Sequence, residues 1–380
     1  MTRVWPVLAG ALLLAGCADD ERPLKPDAAN LDDGTGPEGR QVDVLFLIDN
    51  SGSTAQVQTA LAVSFPAFLA RLDRSGERPD LHIGIVSSSL GAGDFHLPSC
   101  ETAGGDRGVL QNTPKVRGCV PPRGRFIEDV AGPTGRVRNY DGDLADTFSC
   151  IARLGVDGCG FEQHLQAMLK ALDGSAPENA GFLRPGALLV VIIHADEDDC
   201  SARDPELYDP TRLALGPTTS FRCFQFGVRC EPAGLEPSTL GPRTECQSNE
   251  ASTYVQSVRS YVEFLLRLKG SRRKLVVGTI IGTGPVAVGR DGVPNPLLLP
   301  GCQASTGTAA PGVRLAEFAR SFGPNGFVES ICRTEYVHVL EVIADRINQL
   351  LPTPAPRIPD GGVDALIGPP PAALADGGLD

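Results

Sequence analysis

Near-continuous apolar runs punctuate the chain at residues 42–48, 81–86, 188–193 and 275–281, with a shorter one at 327–328. Runs of this length without alternation predict strands covered on both faces, as in parallel sheets flanked by helices. Between them the spacing changes to that of helices. Phe161, Leu165, Met168, Leu169 and Leu172 fall on one helical face, as do Tyr254, Val258, Tyr261, Leu265 and Leu268, and Leu340, Ile343 and Ile347 close a last helix. Strand and helix signals in alternation predict an α/β fold: a doubly wound, mostly parallel central sheet with helices on both faces. Right-handed crossovers then place ligands outside the carboxyl ends of the strands.

Two stretches, 90–145 and 199–250, fit no minimal α/β pattern. They are long, rich in Gly and Pro, and carry cysteines, so they read as disulfide-pinned loop insertions. Residues 17–40 are polar, with Asp, Pro and Gly prominent, and read as a flexible tether; residues 352–380 repeat that character and read as a disordered tail. The folded unit expected is therefore 41–351. A 380-residue chain that is 42% hydrophobic has ample material for a core. A net charge of -12 lacks the concentrated positive field that binds phosphate backbones, which argues against a nucleic-acid partner.

The first residues bear on compartment. Arg3 supplies a positive start, residues 4–14 are apolar, and Leu14-Ala15-Gly16-Cys17 follows. The apolar stretch is too short for a stable membrane-spanning helix and reads as a signal peptide over 1–16. Cys17 resembles the lipidated cysteine of bacterial lipoproteins, which implies an acyl anchor in the cell envelope. With Ala18 where a retention aspartate could stand, the resemblance implies the outer membrane. The other cysteines are Cys100, Cys119, Cys150, Cys159, Cys200, Cys223, Cys230, Cys246, Cys302 and Cys332, an even set that fits disulfides in an oxidising compartment. Closeness in sequence pairs Cys100 with Cys119, Cys150 with Cys159, Cys230 with Cys246 and Cys302 with Cys332, leaving Cys200 with Cys223.

The first apolar run ends in Asp49-Asn50-Ser51-Gly52-Ser53. A buried strand delivers the carboxylate to the sheet edge, and the turn folds two hydroxyls back toward the same point. This D-x-S-x-S motif resembles that of von Willebrand factor type A domains. The resemblance implies a metal-ion-dependent adhesion site in which Asp49, Ser51 and Ser53 share a divalent cation. Magnesium suits hard oxygen donors best, with manganese or calcium as competitors. The family's second aspartate, at the end of the fourth strand, corresponds in position to Asp196 within ALLVVIIHADEDDCS, although the flanking threonine and glycine are replaced by Ala195 and Glu197. Glu197, Asp198 and Asp199 are either further ligands or a solvated acidic turn. The family's loop threonine has no counterpart in GVDGCGFEQHLQAMLKAL. Glu162 stands there either as a substitute ligand or as a carboxylate that stabilises a helix N-terminus.

No G-x-S-x-G elbow, P-loop, HExxH or dinucleotide-binding glycine fingerprint occurs, and the five histidines are dispersed. His194 reads as a satisfied core histidine, and Ser87-Ser88-Ser89 as a polar strand exit rather than a nucleophile. The resemblance implies a non-enzymatic binding module whose cation completes its coordination with an acidic side chain of a protein ligand. A metal-free docking lipoprotein and a metal-dependent hydrolase are the other readings.

Overall fold

The computed structural model describes residues 35–354 apart from 99 and 291–294. The signal segment, Cys17, most of the tether and the tail beyond 354 lie outside the described residues. In chain order the strands are β1 (Gln41–Ile48), β2 (Asp80–Ser87), β3 (Ile127–Gly132), β4 (Gly135–Arg138), β5 (Leu188–Ala195), β6 (Val228–Glu231), β7 (Gly241–Ser248), β8 (Leu275–Ile281), β9 (Val286–Gly289), β10 (Leu297–Leu298), β11 (Cys302–Ala304), β12 (Gly307–Ala309) and β13 (Gly326–Ser330). The α-helices are α1 (Ala55–Leu72), α2 (Leu144–Ala152), α3 (His164–Leu172), α4 (Phe221–Gly227), α5 (Val258–Lys269), α6 (Val313–Arg320) and α7 (Val337–Leu350). Among the described residues no helix is long and apolar enough to cross a membrane.

The central sheet has strand order β13-β8-β5-β1-β2-β3-β4. β13, β8, β5, β1 and β2 pair in parallel, and β3 and β4 form an antiparallel edge. The continuous apolar runs follow from this placement. Along β1, Val42, Val44, Phe46 and Ile48 join a core with α1, α2 and α7, where Phe65 and Phe148 stack at 3.8 Å. Leu45 and Leu47 face the opposite core, shared with α3, α5 and α6. Asp43 is the polar exception, neutralised at the strand's start by the Arg184 guanidinium at 2.7 Å.

The stretches expected to be loops contain structure. From the first, the β3–β4 hairpin extends the sheet, and α2 begins at its end, capped by Asp143, whose side chain accepts from Ala145 N and Asp146 N. From the second come α4, β6 and β7; the latter two join β9 and β10 in a separate four-stranded sheet. Arg222 organises that insertion: only 1% exposed, its guanidinium donates to the carbonyls of Leu207, Asp209, Gly216 and Pro217, so a buried charge replaces regular backbone pairing.

Two expected disulfides are corrected. Cys100 joins Cys159, 59 residues away, and Cys119 joins Cys150. The fold lays the segment before α3 against the exit of β2, where Cys159 N donates to Ser89 Oγ at 3.2 Å, so Cys159 meets the first insertion rather than its sequence neighbour. Cys200–Cys223, Cys230–Cys246 and Cys302–Cys332 pair as closeness in sequence indicates.

Candidate metal centre

The sheet reverses its direction of growth between β1 and β5, and the carboxyl ends of those two strands open the crevice where doubly wound folds bind ligands. In register, Ile48 lies beside His194, and Asp49 N donates to His194 O at 2.9 Å. Asp49 and Asp196 therefore leave the sheet side by side. Ser51 N donates to Asp49 Oδ1 at 2.8 Å, which turns the chain back over the carboxylate. Thr54 Oγ1 donates to Ser51 O at 2.9 Å and closes the turn into α1.

Gln58, one turn into α1, ties the motif down. Its Nε2 donates to Asp49 O, Thr54 Oγ1 and Gly155 O, bridging the strand end, the helix start and the 153–158 loop. Gly158 N donates to Asn50 O at 2.8 Å, and a Cβ at Gly158 would lie 2.2 Å from Asn50 Oδ1; only glycine admits this approach.

The structure brings Asp49, Ser51, Ser53, Asp196 and Glu162 to this crevice from three segments. Asp49 is fully buried, Asp196 is 5% and Glu162 2% exposed, whereas Ser53 faces outward beside Asp196. Asp49 Oδ2, Ser51 Oγ, Asp196 Oδ1 and Glu162 Oε2 are all buried and have no hydrogen-bond partner within the protein. Buried polar atoms are ordinarily paired, so four such oxygens from four residues expected to meet at one ion are informative. Among the described residues no three His, Cys, Asp or Glu side chains gather into a metal-holding group. Hard, anionic and hydroxyl oxygens are the donor set a divalent cation of the magnesium class requires, and the residues fit it.

The electrostatics agree. Burial, then the negative charge of Asp49, pushes the Asp196 carboxyl up to about 8. Burial, Glu197 and Asp49 hold Glu162 well above the ordinary carboxylate range, and burial and Asp49 also raise Glu197. Asp49 runs the other way: burial opposes its charge, but His164 and the hydrogen bond from Ser51 prevail and keep it low. His164 Nε2 lies 3.5 Å from Asp49 Oδ2, fully buried, and although burial disfavours its charge, Asp49 raises its pKa.

Several residues take roles the sequence did not show. His164, among the dispersed histidines, sits against Asp49; the available signal is its position two residues after Glu162 at the start of α3. Ser88 Oγ approaches Asp49 Oδ1 at 3.5 Å, and Ser87 Oγ donates to Asp106. His194 is buried, but both ring nitrogens lack hydrogen-bond partners, which corrects the expectation of a satisfied core histidine. Burial lowers its pKa to about 4, and the neutral ring packs edge-on against Tyr336 at 5.3 Å. Asp198 and Asp199 are neither ligands nor a solvated turn. Asp198 accepts from Arg314 N and Leu315 N at the start of α6. Asp199 pairs with buried Arg314 at 2.9 Å and accepts from Leu165 N at the start of α3.

No family model matches the chain, and no curated protein does. Solved structures similar to it include the pilus adhesin SpaC from Lactobacillus rhamnosus GG in an open conformation, at 10% identity over 83% of this chain with a TM-score of 0.34. The vWF domain of the type V pili tip protein Mfa5 from Porphyromonas gingivalis matches at 12% identity over 86% of this chain and 100% of that one, with a TM-score of 0.37. The chain spans 31% of the SpaC structure. The fold assignment rests on the sheet itself. With the β4 hairpin arm set aside, its strands run third, second, first, fourth, fifth, sixth along the chain, with the third antiparallel, and the D-x-S-x-S turn stands at the first strand's end. This is a doubly wound α/β domain, and the D-x-S-x-S turn at its switch point is the feature that resembles von Willebrand factor type A domains.

Proposed function

We propose that this domain is an extracytoplasmic binding module, without catalytic activity, that engages a protein ligand through a divalent cation. Asp49, Ser51, Ser53 and Asp196 would hold the ion, magnesium in preference to manganese or calcium, with Glu162 as the further oxygen. The observation that carries this reading is the set of four buried oxygens without a hydrogen-bond partner at the switch point, of which Asp49 Oδ2 alone faces a basic group, His164 at 3.5 Å. A bound cation supplies a Lewis-acidic position that an acidic side chain of the partner can fill. The protein's own contribution is preorganisation: Gln58 and Gly158 fix the turn, and β1 and β5 fix the separation of the two aspartates. The five disulfides support an oxidising compartment, and the Leu14-Ala15-Gly16-Cys17 sequence supports tethering by acylation of Cys17, with the outer membrane as the destination.

Calorimetric titration of the disulfide-intact protein with magnesium, manganese and calcium tests the ion site. Saturable binding that disappears in Asp49→Ala is expected. Absence of binding at millimolar ion, the weak end for extracellular sites, refutes it. Metabolic labelling with an alkynyl fatty acid, retained by the wild type and lost in Cys17→Ser, tests the anchor.

A further inference from the structure

A cavity of about 440 Å³ opens beside the candidate metal centre. At one end it is lined by Glu162, Glu197 and Asp198; along its length it is walled by Phe221, Phe224, Leu297 and Leu298, contributed by α4 and β10. Among the described residues no lysine, arginine or histidine lines it. Asp198 is satisfied by the backbone of α6, and Glu162, 2% exposed, lines the same end with an Oε2 that has no hydrogen-bond partner within the protein. An apolar channel that ends in acidic side chains with no basic residue beside them in its described lining is complementary to an amphipathic cation, whose alkyl stem packs on the walls while its charged head reaches the acids. The chain's net charge of -12 favours approach of such a group.

We propose that this cavity receives a basic side chain, lysine or arginine, of a protein partner, with Glu197 meeting the charged head and Phe221, Phe224 and Leu297 enclosing the stem. Assigning that side chain to the partner that engages the cation rests on the binding-module reading; the cavity's preference for a cation does not. The two contacts together would make recognition bipartite, an acidic group at the ion and a basic group in the adjoining cavity. Such a pairing rejects ligands that carry only one of the two charges.

The test is a chemical-shift titration of the full, disulfide-intact chain with Nα-acetyl-lysine methylamide and Nα-acetyl-arginine methylamide, first in EDTA and then in magnesium. Expected are saturable shifts at the amides of Ser220, Phe221 and Leu297 in both conditions, with at least tenfold weaker binding in Glu197→Gln and in Leu298→Trp, which fills the channel without altering charge. Nα-acetyl-norleucine methylamide, which keeps the stem and lacks the charge, should bind at least tenfold more weakly than the lysine probe. Equal binding of the norleucine probe, stronger binding of Nα-acetyl-aspartate methylamide, or no shifts with any probe would overturn the proposal. Loss of the lysine shifts on adding magnesium would also overturn it, because the probe would then have occupied the cation's own ligands. Magnesium titration of the same sample reports separately on the ion site, so either reading can fail while the other stands.

Discussion

Replacing Asp196 with Asn should stabilise the cation-free protein and abolish its response to magnesium, two effects of opposite sign from one substitution. In the fold the Asp196 carboxyl is pushed up to about 8 from an ordinary value of 3.8. Between those values the folded state binds a proton that the unfolded chain has released, so this group's contribution is full below pH 3.8 and is lost as pH rises through 8. The slope is at most about 1.4 kcal/mol per pH unit, so the wild type forfeits up to roughly 4 kcal/mol between pH 4 and pH 7. Asn has nearly the same shape and no proton to lose. In EDTA, melting profiles of wild type and Asp196→Asn should converge near pH 4 and separate toward pH 8, with the variant higher. At about 2–4 °C per kcal/mol, several degrees should separate them at neutral pH. Magnesium at a hundred times its dissociation constant should return about 2.7 kcal/mol to the wild type and little to the variant. Parallel pH profiles in EDTA, or equal stabilisation of both proteins by magnesium, would refute the reasoning.

Gly158→Ala places a Cβ 2.2 Å from Asn50 Oδ1 and 2.7 Å from Asn50 O, so it should cost about 1–3 kcal/mol and weaken magnesium binding roughly tenfold, read by thermal melting and calorimetry. Arg314→Met strands buried Asp199 without its partner and should lower stability by about 3–5 kcal/mol in urea unfolding. Lys269, whose ammonium donates to Arg184 O and Pro185 O, is pushed down to about 8, chiefly by burial. The unfolded chain then binds the extra proton between pH 8 and 10.5, so wild-type stability should gain over that window relative to Lys269→Met, whose lost hydrogen bonds add only a constant offset.

The parts of the fold legible in the sequence are those buried on both faces. β1, β2, β5 and β8 carry helices on either side, so their composition is unambiguous, and the two aspartates that leave β1 and β5 could be named from position. β3 shows why other elements were not. Its residues alternate only from Ile127 to Val130 before turning at Gly132 and Gly135, too short a pattern to separate from the surrounding loop. The small sheet of β6, β7, β9 and β10 has equally weak patterning, because β6, β9 and β10 are only two to four residues long and β7, GPRTECQS, is almost wholly polar. The disulfides Cys100–Cys159 and Cys119–Cys150 were illegible for another reason: which cysteines meet depends on where the segment before α3 crosses β2, a tertiary fact with no local signature. Gln58 and His164 are similar, ordinary residues at their positions until the neighbouring segments are in place.

The insertions explain how the acidic crevice can exist at all. Glu162 sits on a short segment that mutual repulsion with Asp49 and Glu197 would drive outward. That segment is held on both sides. Cys159 is bonded to the first insertion through Cys100, and Gln163 N donates to Ser88 O while its side chain donates to Gly91 O. Toward the second insertion, Cys200 N donates to Glu162 O, Tyr208 packs on Phe161 at 5.1 Å, and the Tyr208 hydroxyl donates to Cys200 O. Ala92, Leu97, Phe161, Leu207, Tyr208 and Val255 form a small core of their own that joins the two insertions around this segment. Burial of apolar surface and covalent closure thus offset the cost of confining these carboxyl groups, whose raised pKa values favour their protonated forms, and a cation bound there would take the place of those protons. Loosening either insertion would let Glu162 relax into water and would weaken the binding of any ion held beside it.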